Sequence, residues 1–235
     1  MPDLLASTVV FVAALVQAVA GVGFAMISVP LLALLDPTLV PGPMLIGMLT
    51  LSMVMAGTGL GSVNPREFAV LIPALLVGTV IGAPIVRALS SQALALVLGI
   101  LLLIAVAISL AGASATLNRK NLGLGGVVSG LMGTVTGIHG PPLAVLYSAQ
   151  APDKARSTIA WIFVFGTVMS LVALRLTGQL PGPALARGLN LIPGVLIGYI
   201  AAHLVKGMLA PAQVRMAMLL ITAASALILI ANNLA

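Results

Sequence analysis

Charge is scarce in this chain, and cysteine is absent. Lysine, arginine, aspartate and glutamate together make up 6% of its 235 residues, whereas an average soluble domain has roughly 25%. A water-soluble globule of this size is excluded, because its surface would need far more charged side chains than a lipid-facing surface does. The lack of cysteine excludes a disulfide scaffold, a thiolate nucleophile and a cysteine-based metal site.

The few ionisable residues also exclude several functions. The two histidines, far apart, and the four acidic residues cannot supply a nucleophile, a base and an orienting group. We therefore expect no enzymatic activity, no cofactor and no metal. The ten basic residues are spread singly or in pairs, whereas a nucleic-acid surface clusters them. We interpret them as cytoplasmic anchors of a membrane protein and expect no nucleic-acid partner.

Long apolar runs occupy almost the whole chain, whose mean hydropathy is +1.26. Residues 4–35 and 121–152 are two runs without a charge, and each exceeds the ~20 residues that cross a bilayer. Charges and turn residues divide the chain into eight apolar segments, which predict an all-α polytopic protein in the lipid bilayer. The segments are 4–35, 43–62, 68–88, 92–113, 121–149, 157–177, 185–205 and 212–231.

The first and fifth segments are too long for one simple crossing. A continuous helix over either uncharged run would span about 48 Å, against a hydrocarbon core of about 30 Å. Each has a glycine-rich break, at 20–24 in the first segment and at 133–140, before Pro141 and Pro142, in the fifth. Glycine weakens a helix and proline opens a new one. We therefore expect both segments to be broken into half-helices or to be re-entrant.

The two breaks are related by an internal repeat. Placing Gly21 on Gly137 also superposes the two uncharged runs to within one residue. Other offsets align prolines elsewhere in the chain, so the register of the repeat stays open. We expect an N-terminal transmembrane repeat at 1–115 and a C-terminal transmembrane repeat at 116–235, with four segments each.

The basic residues indicate how the two repeats are oriented. If all eight segments cross the membrane, five basic residues lie on each side, and the charge gives no orientation. If segments one and five return to the side where they start, seven lie on one side and three on the other, in agreement with the positive-inside rule. Three crossings per repeat then invert the second repeat relative to the first. The seven are Arg66, Arg119, Lys120, Lys154, Arg156, Lys206 and Arg215; the three are Arg87, Arg175 and Arg187.

Matching broken helices in two halves indicate the substrate site of a secondary transporter. A half-helix that starts inside the membrane presents free N–H groups and the positive end of its dipole. We expect a small oxyanion to bind there without a lysine or arginine, since both runs lack them. The expected binding residues are Gly21, Val22, Gly23, Phe24, Ala25, Thr136, Gly137, Ile138, His139, Gly140, Gln17, Ser52 and Trp161.

His139 lies inside the second break. An intramembrane imidazole is costly, and it donates to an anion or carries a coupled proton; the alternative is a neutral, packed histidine. The first hypothesis predicts that His139→Ala abolishes or uncouples transport. For Gln17, Ser52, Thr136 and Trp161, the alternative is an interhelical hydrogen bond or a place at the lipid interface.

Glycines spaced four residues apart predict close helix packing. The spacing is too common in membrane helices to identify a dimer face. The pairs are Gly57/Gly61, Gly78/Gly82, Gly126/Gly130, Gly133/Gly137 and Gly194/Gly198.

The two breaks give the chain a resemblance to the sulfite exporter TauE/SafE family of membrane permeases. Each half opens with a glycine-rich break, then a proline and an apolar run, at 21–31 and at 137–143. The stretch at 155–160, with Trp161 and Phe163, is similar to the segment after the second motif in that family. The resemblance covers essentially the whole chain. It implies the export of small anions, such as sulfite, sulfoacetate or related organosulfonates and carboxylates, across a bacterial cytoplasmic membrane.

Two other functions remain open at this stage. An anion channel would use the same half-helix ends, and a non-transporting membrane subunit would need a partner protein. Flux far above carrier rates would indicate the channel, and no response to any anion would indicate the subunit. The sequence does not determine the oligomeric state, and a homodimer is one of the possible states.

Overall fold

The protein is all-helical throughout the part of the chain that the structure describes. A computed structural model describes residues 2–59, 63–205, 207–208 and 210–234, and these contain no β-strand. A short 3₁₀ turn at Pro37–Leu39 follows the second helix. The α-helices are α1 Pro2–Ala20, α2 Phe24–Leu35, α3 Gly42–Thr58, α4 Pro65–Ala88, α5 Ser91–Leu110, α6 Arg119–Thr136, α7 Gly140–Tyr147, α8 Pro152–Leu176, α9 Gly182–Asn190, α10 Ile192–Leu204 and α11 Pro211–Leu234.

Polar caps and prolines set where several helices start. Asn64, Ser90 and Asn118 each accept a hydrogen bond from a backbone N–H in the first turn of α4, α5 and α6. Such a side chain replaces the acceptor that the first turn of a helix lacks. Pro65 and Pro152 begin α4 and α8, where the missing N–H of proline costs no hydrogen bond.

Several helices are long and apolar enough to cross a membrane. Within the described residues there are five such stretches, and α9 and α10 together form one of them. Helices α1, α2 and α3 are apolar but shorter. The chain is therefore a multi-pass helical protein. The five stretches are Pro65–Ala88, Ser91–Leu110, Pro152–Leu176, Gly182–Leu204 and Ala212–Leu234.

Helices α1 and α10 lie parallel and in close contact. A side-chain carbon at Gly194 would meet the carbonyl of Ser7, and one at Gly198 would meet the carbonyl of Phe11. The same four-residue step on both helices shows that they run in the same direction. The missing side chains let the backbones approach, as the glycine spacing predicts.

Helices α4 and α6 form the matching pair. A side-chain carbon at Gly126 would meet the carbonyl of Leu71, and one at Gly130 would overlap the backbone of Leu75. These contacts again advance in the same direction along both helices. Of the remaining glycine pairs, Gly57 faces open space, and Gly61 lies outside the described residues.

One end of the helix bundle carries most of the basic residues, and we call it the basic end. There Tyr147 at the end of α7 donates to Glu67 at the start of α4, at 2.7 Å. Lys154 of α8 is 3.7 Å from the same carboxylate, and Arg156 donates to the Val19 carbonyl near the end of α1. Lys206, expected on this side, lies outside the described residues. The described basic residues of this end are Arg66, Arg119, Lys120, Lys154, Arg156 and Arg215.

The opposite end, which we call the far end, has fewer charges. Arg187 of α9 donates to Asp36 after α2 at 2.8 Å, and Gln92 at the start of α5 donates to the Asn233 carbonyl near the end of α11. Its basic residues are Arg87, Arg175 and Arg187.

The chain reverses direction at both breaks. Helix α1 starts at the far end, because it runs parallel to α10, and α2 ends there beside Arg187. Helix α6 starts at the basic end, because it runs parallel to α4, and α7 ends there with Tyr147 on Glu67. Each broken segment thus folds back on itself, and the two hairpins point in opposite directions.

Candidate functional site

Both helix breaks line one cavity of about 380 Å³ at the basic end of the bundle. Its deeper walls are buried, and exposed Gly112, Ser148 and Arg215 lie at its mouth. The two halves of the chain therefore contribute to a single site. From the breaks and the residues next to them, the lining residues are Gln17, Ala20, Val22, Gly23, Ile138, Gly140 and Pro141.

Two glycines shape the first break. Gly21 has a φ of 87° and Gly23 a φ of 132°, values that residues with a side chain rarely adopt. The sulfur of Met218 in α11 occupies the place that a side-chain carbon at Gly23 would take. Glycine is therefore favoured at position 23 by the backbone conformation, and a larger residue there would also have to displace the Met218 side chain.

The start of α2 presents backbone N–H groups to the cavity. The Phe24 N–H donates to the Gln17 side-chain oxygen at 2.9 Å, and the Ile27 N–H donates to the Gly23 carbonyl at 3.2 Å. Between them, the N–H groups of Ala25 and Met26 have no acceptor among the described residues, and both residues line the cavity. The positive end of the α2 dipole thus faces this space.

Gln17 supplies a further hydrogen-bond donor. Its side chain is 1% exposed and lines the cavity. Its oxygen is used by Phe24, and its amide nitrogen has one contact, the Met55 sulfur at 3.8 Å. A thioether is a weak acceptor, so the amide N–H groups remain able to bind an anion.

Helix α2 contains a proline that leaves one backbone carbonyl without its helical donor, and α11 supplies a hydroxyl group to that carbonyl. Pro30 has no N–H, so the carbonyl of Met26 lacks its helical donor. The Thr222 hydroxyl of α11 lies 3.0 Å from that carbonyl and 2.7 Å from the Met218 carbonyl of its own helix, so its one proton is shared between the two acceptors. Because Met26 lines the cavity, this contact fixes one wall of the site.

The second break is held by two hydroxyl groups. Gly137 is left-handed, with a φ of 80°, and the Ile138 N–H donates to the Thr136 hydroxyl at 3.2 Å. The Ser129 hydroxyl donates to the His139 carbonyl at 2.7 Å. Pro141 in the first turn of α7, and the proline after it, carry no N–H, so α7 offers fewer donors to the cavity than α2 does.

His139 is fully buried beside the cavity and does not line it. Its ring packs on the backbones of Gly133 and Gly166, and its Nε2 is 3.5 Å from the Ser170 hydroxyl. The ring centroid is 6.2 Å from that of Phe163, which does line the cavity. The imidazole therefore lies next to a residue of the cavity wall.

The structure brings together only some of the residues expected to bind the anion. Trp161 is 39% exposed beside Phe165, and Ser52 is buried with no hydrogen-bond partner for its hydroxyl among the described residues. Those on the cavity wall are Gln17, Val22, Gly23, Ala25, Ile138 and Gly140. Those away from it are Gly21, Phe24, Thr136, Gly137, His139, Ser52 and Trp161.

Sequence reasoning missed the part of the site that α5 and α11 provide. Ser109 near the end of α5 and Arg215 in the first turn of α11 both line the cavity, and the Arg215 guanidinium donates to the Ser109 carbonyl. No local pattern marks these residues. Their place depends on which helices pack together.

A second cavity of about 370 Å³ lies at the far end. It is lined by the other ends of α2, α5 and α11, including Thr38, Gln92 and Asn233. The same three helices therefore form walls of both cavities. No group of side chains suited to a metal ion occurs among the described residues.

Comparison with known proteins identifies the family. No curated protein and no solved structure matches the chain. The family model described as sulfite exporter TauE/SafE matches residues 6–229, which include both breaks and every lining residue of the cavity at the basic end. The chain therefore belongs to the sulfite exporter TauE/SafE family.

Proposed function

We propose that the protein is a secondary transporter that exports small anions and binds them in the cavity at the basic end. The ligands would be sulfite, sulfoacetate or related organosulfonates and carboxylates. The family is one of membrane transporters of sulfur-containing anions, which supports the class. The observation that carries the proposal is the single cavity lined by both helix breaks.

The chemistry of the cavity favours a negatively charged ligand. The free N–H groups at the start of α2, the Gln17 amide and Arg215 all donate hydrogen bonds, and no carboxylate lines the cavity among the described residues. Backbone donors in a site with little water stabilise an anion more strongly than the same groups in water. An oxyanion with several acceptor oxygens fits this set of donors.

The helix packing supports an inverted repeat. Exchanging the halves at 1–115 and 116–235 turns the α1–α10 contact into the α6–α4 contact, and it maps α3–α8 and α5–α11 onto themselves. The two hairpins would then correspond to segments one and five of eight apolar segments. This is the arrangement in which substrate sites of secondary transporters form at the repeat interface.

The charge distribution supports export from the bacterial cytoplasm across the inner membrane. Six of the nine described lysines and arginines lie at the basic end, which favours a cytoplasmic location for that end by the positive-inside rule. The cavity mouth would then receive anions from the cytoplasm. Membrane potential or a proton gradient would drive their release at the far end.

Gln17→Glu tests whether the cavity is the anion site. A glutamate keeps an oxygen for the Phe24 N–H, so the break retains its cap, but it replaces an amide donor with a group that repels anions. We expect the initial rate of labelled sulfite or sulfoacetate flux into liposomes to fall at least tenfold, because like charges at a binding site cost several kcal/mol. Because a charge at this buried position also carries a desolvation cost, the unfolding midpoint in detergent is measured as well, to show that the variant is folded under the conditions of the flux assay.

Gln213→Glu is the matched control, because it adds the same charge to an exposed position at the basic end that does not line the cavity. We expect this variant to transport at close to the wild-type rate. Wild-type flux in Gln17→Glu would contradict the cavity as the binding site. Wild-type protein that neither binds nor moves any of these anions would contradict anion transport itself, and flux far above carrier rates would indicate a channel.

A further inference from the structure

We propose that Arg215 binds the anion at the mouth of the cavity and makes the site selective for negatively charged ligands. The proposal rests on the proposed function, which it extends by naming a ligand-binding side chain. It departs from the sequence-based expectation that the site binds an anion without a lysine or arginine.

No acidic residue whose side chain the structure describes, Asp153 included, lies within salt-bridge distance of Arg215. Among the described side chains, Asp36 is paired with Arg187, and Glu67 with Lys154. The Arg215 guanidinium has one hydrogen bond, to the Ser109 carbonyl. Of its five N–H donors, most therefore remain available to a ligand.

Arg215 is distinguished from the other basic residues by its place on the cavity wall. Arg156, also at the basic end, donates to the Val19 carbonyl at 2.7 Å and does not line the cavity. Arg66, Arg119 and Lys120 are exposed at the same end, and they do not line the cavity either. Among the described residues, Arg215 is the charged side chain that the cavity contains.

The register of α11 places Arg215 close to the first break. Met218, three residues further along the helix, packs its sulfur on Gly23 and also lines the cavity. Three residues of an α-helix rise about 4.5 Å. Arg215 thus lies one turn above the break, on the same face of α11 as Met218, and toward the mouth.

This position suits an oxyanion held between two groups. Arginine binds carboxylate and sulfonate-like oxygens through two parallel N–H bonds. The N–H groups of Ala25 and Met26 lie deeper in the same cavity. An anion at the mouth would be attracted by Arg215 and then meet the start of α2.

The experiment compares Arg215→Gln with Arg66→Gln, which removes the same charge from the same end outside the cavity. Initial rates of sulfite flux are measured in liposomes over a range of sulfite and salt concentrations, and unfolding midpoints are measured in detergent. We expect Arg215→Gln to raise KM for sulfite at least tenfold and to flatten its dependence on salt. Arg66→Gln should leave both close to the wild-type values, and Arg215→Lys should recover part of the affinity.

Each result decides the proposal. Equal KM values for Arg215→Gln and the wild type would overturn the role of Arg215 and leave the proposed transport intact. A loss shared with Arg66→Gln would show a general effect of charge and would also overturn it. A lowered unfolding midpoint with unchanged KM in Arg215→Gln would show that Arg215 only stabilises the fold, through its hydrogen bond to Ser109, and would overturn the proposal. If the wild type moves no sulfite and binds none, both the transport and this inference fail.

Discussion

At the residue scale, three buried polar side chains bond backbone groups that the helix breaks or a proline leave free. Gln17 accepts from the Phe24 N–H, Thr222 shares its hydroxyl proton between the carbonyls of Met26 and Met218, and Ser129 donates to the His139 carbonyl in the second break. An unpaired backbone group is costly where water is absent. These side chains allow non-helical backbone to exist inside an apolar bundle, and two of them adjoin the cavity.

Proton coupling through His139 stays a prediction, and a single substitution separates it from simple packing. Glutamine can still form a hydrogen bond with the Ser170 hydroxyl and fill most of the space next to Gly133 and Gly166. Its amide, however, neither gains nor loses a proton at physiological pH. If the imidazole couples transport to protons, His139→Gln folds normally and its sulfite flux no longer responds to a pH gradient across the liposome. The measurement is flux with and without the gradient.

His139→Ala serves as the comparison for packing. It leaves a hole between two glycine backbones, and we expect it to lower the unfolding midpoint through a cavity penalty of about 2–4 kcal/mol. Flux in His139→Gln that follows the pH gradient as in the wild type would contradict coupling. The histidine would then be a packed residue.

The sequence is informative about those site residues whose position depends on local structure. Glycines at 21, 23 and 137 mark the breaks, and Gln17 lies one helical turn before the first break. Arg215 and Ser109 could not be predicted, because their approach to the cavity depends on the packing of α5 and α11 against distant segments. Trp161 illustrates the same limit. Its position in the sequence, shortly after the second motif, does not show whether its side chain faces the cavity or the outside of the bundle.

At the element scale, glycine contacts determine how closely the helices pack. The backbones of α4 and α6 touch at Gly126 and Gly130, and those of α1 and α10 touch at Gly194 and Gly198. Small residues of this kind drive helix association in lipid, where water provides no hydrophobic force between helices. These two tight pairs hold the two broken segments in place.

Gly130→Ala tests the contact between α4 and α6. The new methyl group would overlap the backbone of Leu75, and backbone cannot move aside as a flexible side chain can. We expect the unfolding free energy to fall by about 1–3 kcal/mol, as for overpacked cores. Thermal or denaturant unfolding in detergent measures the change.

Gly123→Ala is the matched control on the same helix, because nothing lies within 4 Å of the place its methyl group would take. Alanine favours a helix over glycine, so stability should stay the same or rise by up to about 1 kcal/mol. If both variants lost the same amount of stability, the Gly130 contact would not be responsible.

Sequence patterns predict where helices lie better than they predict where a helix is interrupted, unless glycines mark the interruption. The two long uncharged runs divide at 21–23 and 137–139, where glycine and proline signal a break. The interruption between α9 and α10 at Leu191 falls inside a segment that we expected to be continuous. Asn190 and Pro193 were its available signals, but they are weaker than a glycine cluster because Pro193 also fits the first turn of a helix.

At the scale of the whole molecule, charge distinguishes the two ends of the bundle. The basic end contains the cavity mouth, and the far end contains the Asp36–Arg187 pair, which joins the first half of the chain to the second. Both cavities share walls from α2, α5 and α11. A change in how these helices tilt would alter access at both ends together.

The Asp36–Arg187 pair predicts a pH-dependent contribution to stability. Hydrogen bonding to the Thr38 hydroxyl, together with the Thr38 N–H and Arg187, holds the pKa of Asp36 below its ordinary value of 3.8, although partial burial opposes this. A lowered folded-state pKa adds stability above the unfolded value and loses it as the pH falls through the folded value. Asp36→Asn should therefore be less stable than the wild type at pH 7, with the difference shrinking as the pH falls below 3.8 and through the lower folded-state pKa.

The expected loss is less than about 1 kcal/mol, because both side chains are near 30% exposed and solvent screens the pair. Unfolding midpoints from pH 7 to pH 3 give the profile. Arg187→Gln and the double variant complete a cycle that isolates the interaction. A difference between Asp36→Asn and the wild type that persisted unchanged at pH 3 would contradict this assignment.

The parallel pairing of α1 with α10 has a consequence for synthesis of the protein. Ser7 and Gly194 meet across 187 residues of chain, whereas Leu71 and Gly126 meet across 55. At translation rates of about 5–20 residues per second, α1 waits roughly 10–40 s for its partner, and α4 waits roughly 3–11 s. The second hairpin can thus settle against α4 during synthesis, while the first stays without its α10 neighbour until the chain is nearly finished.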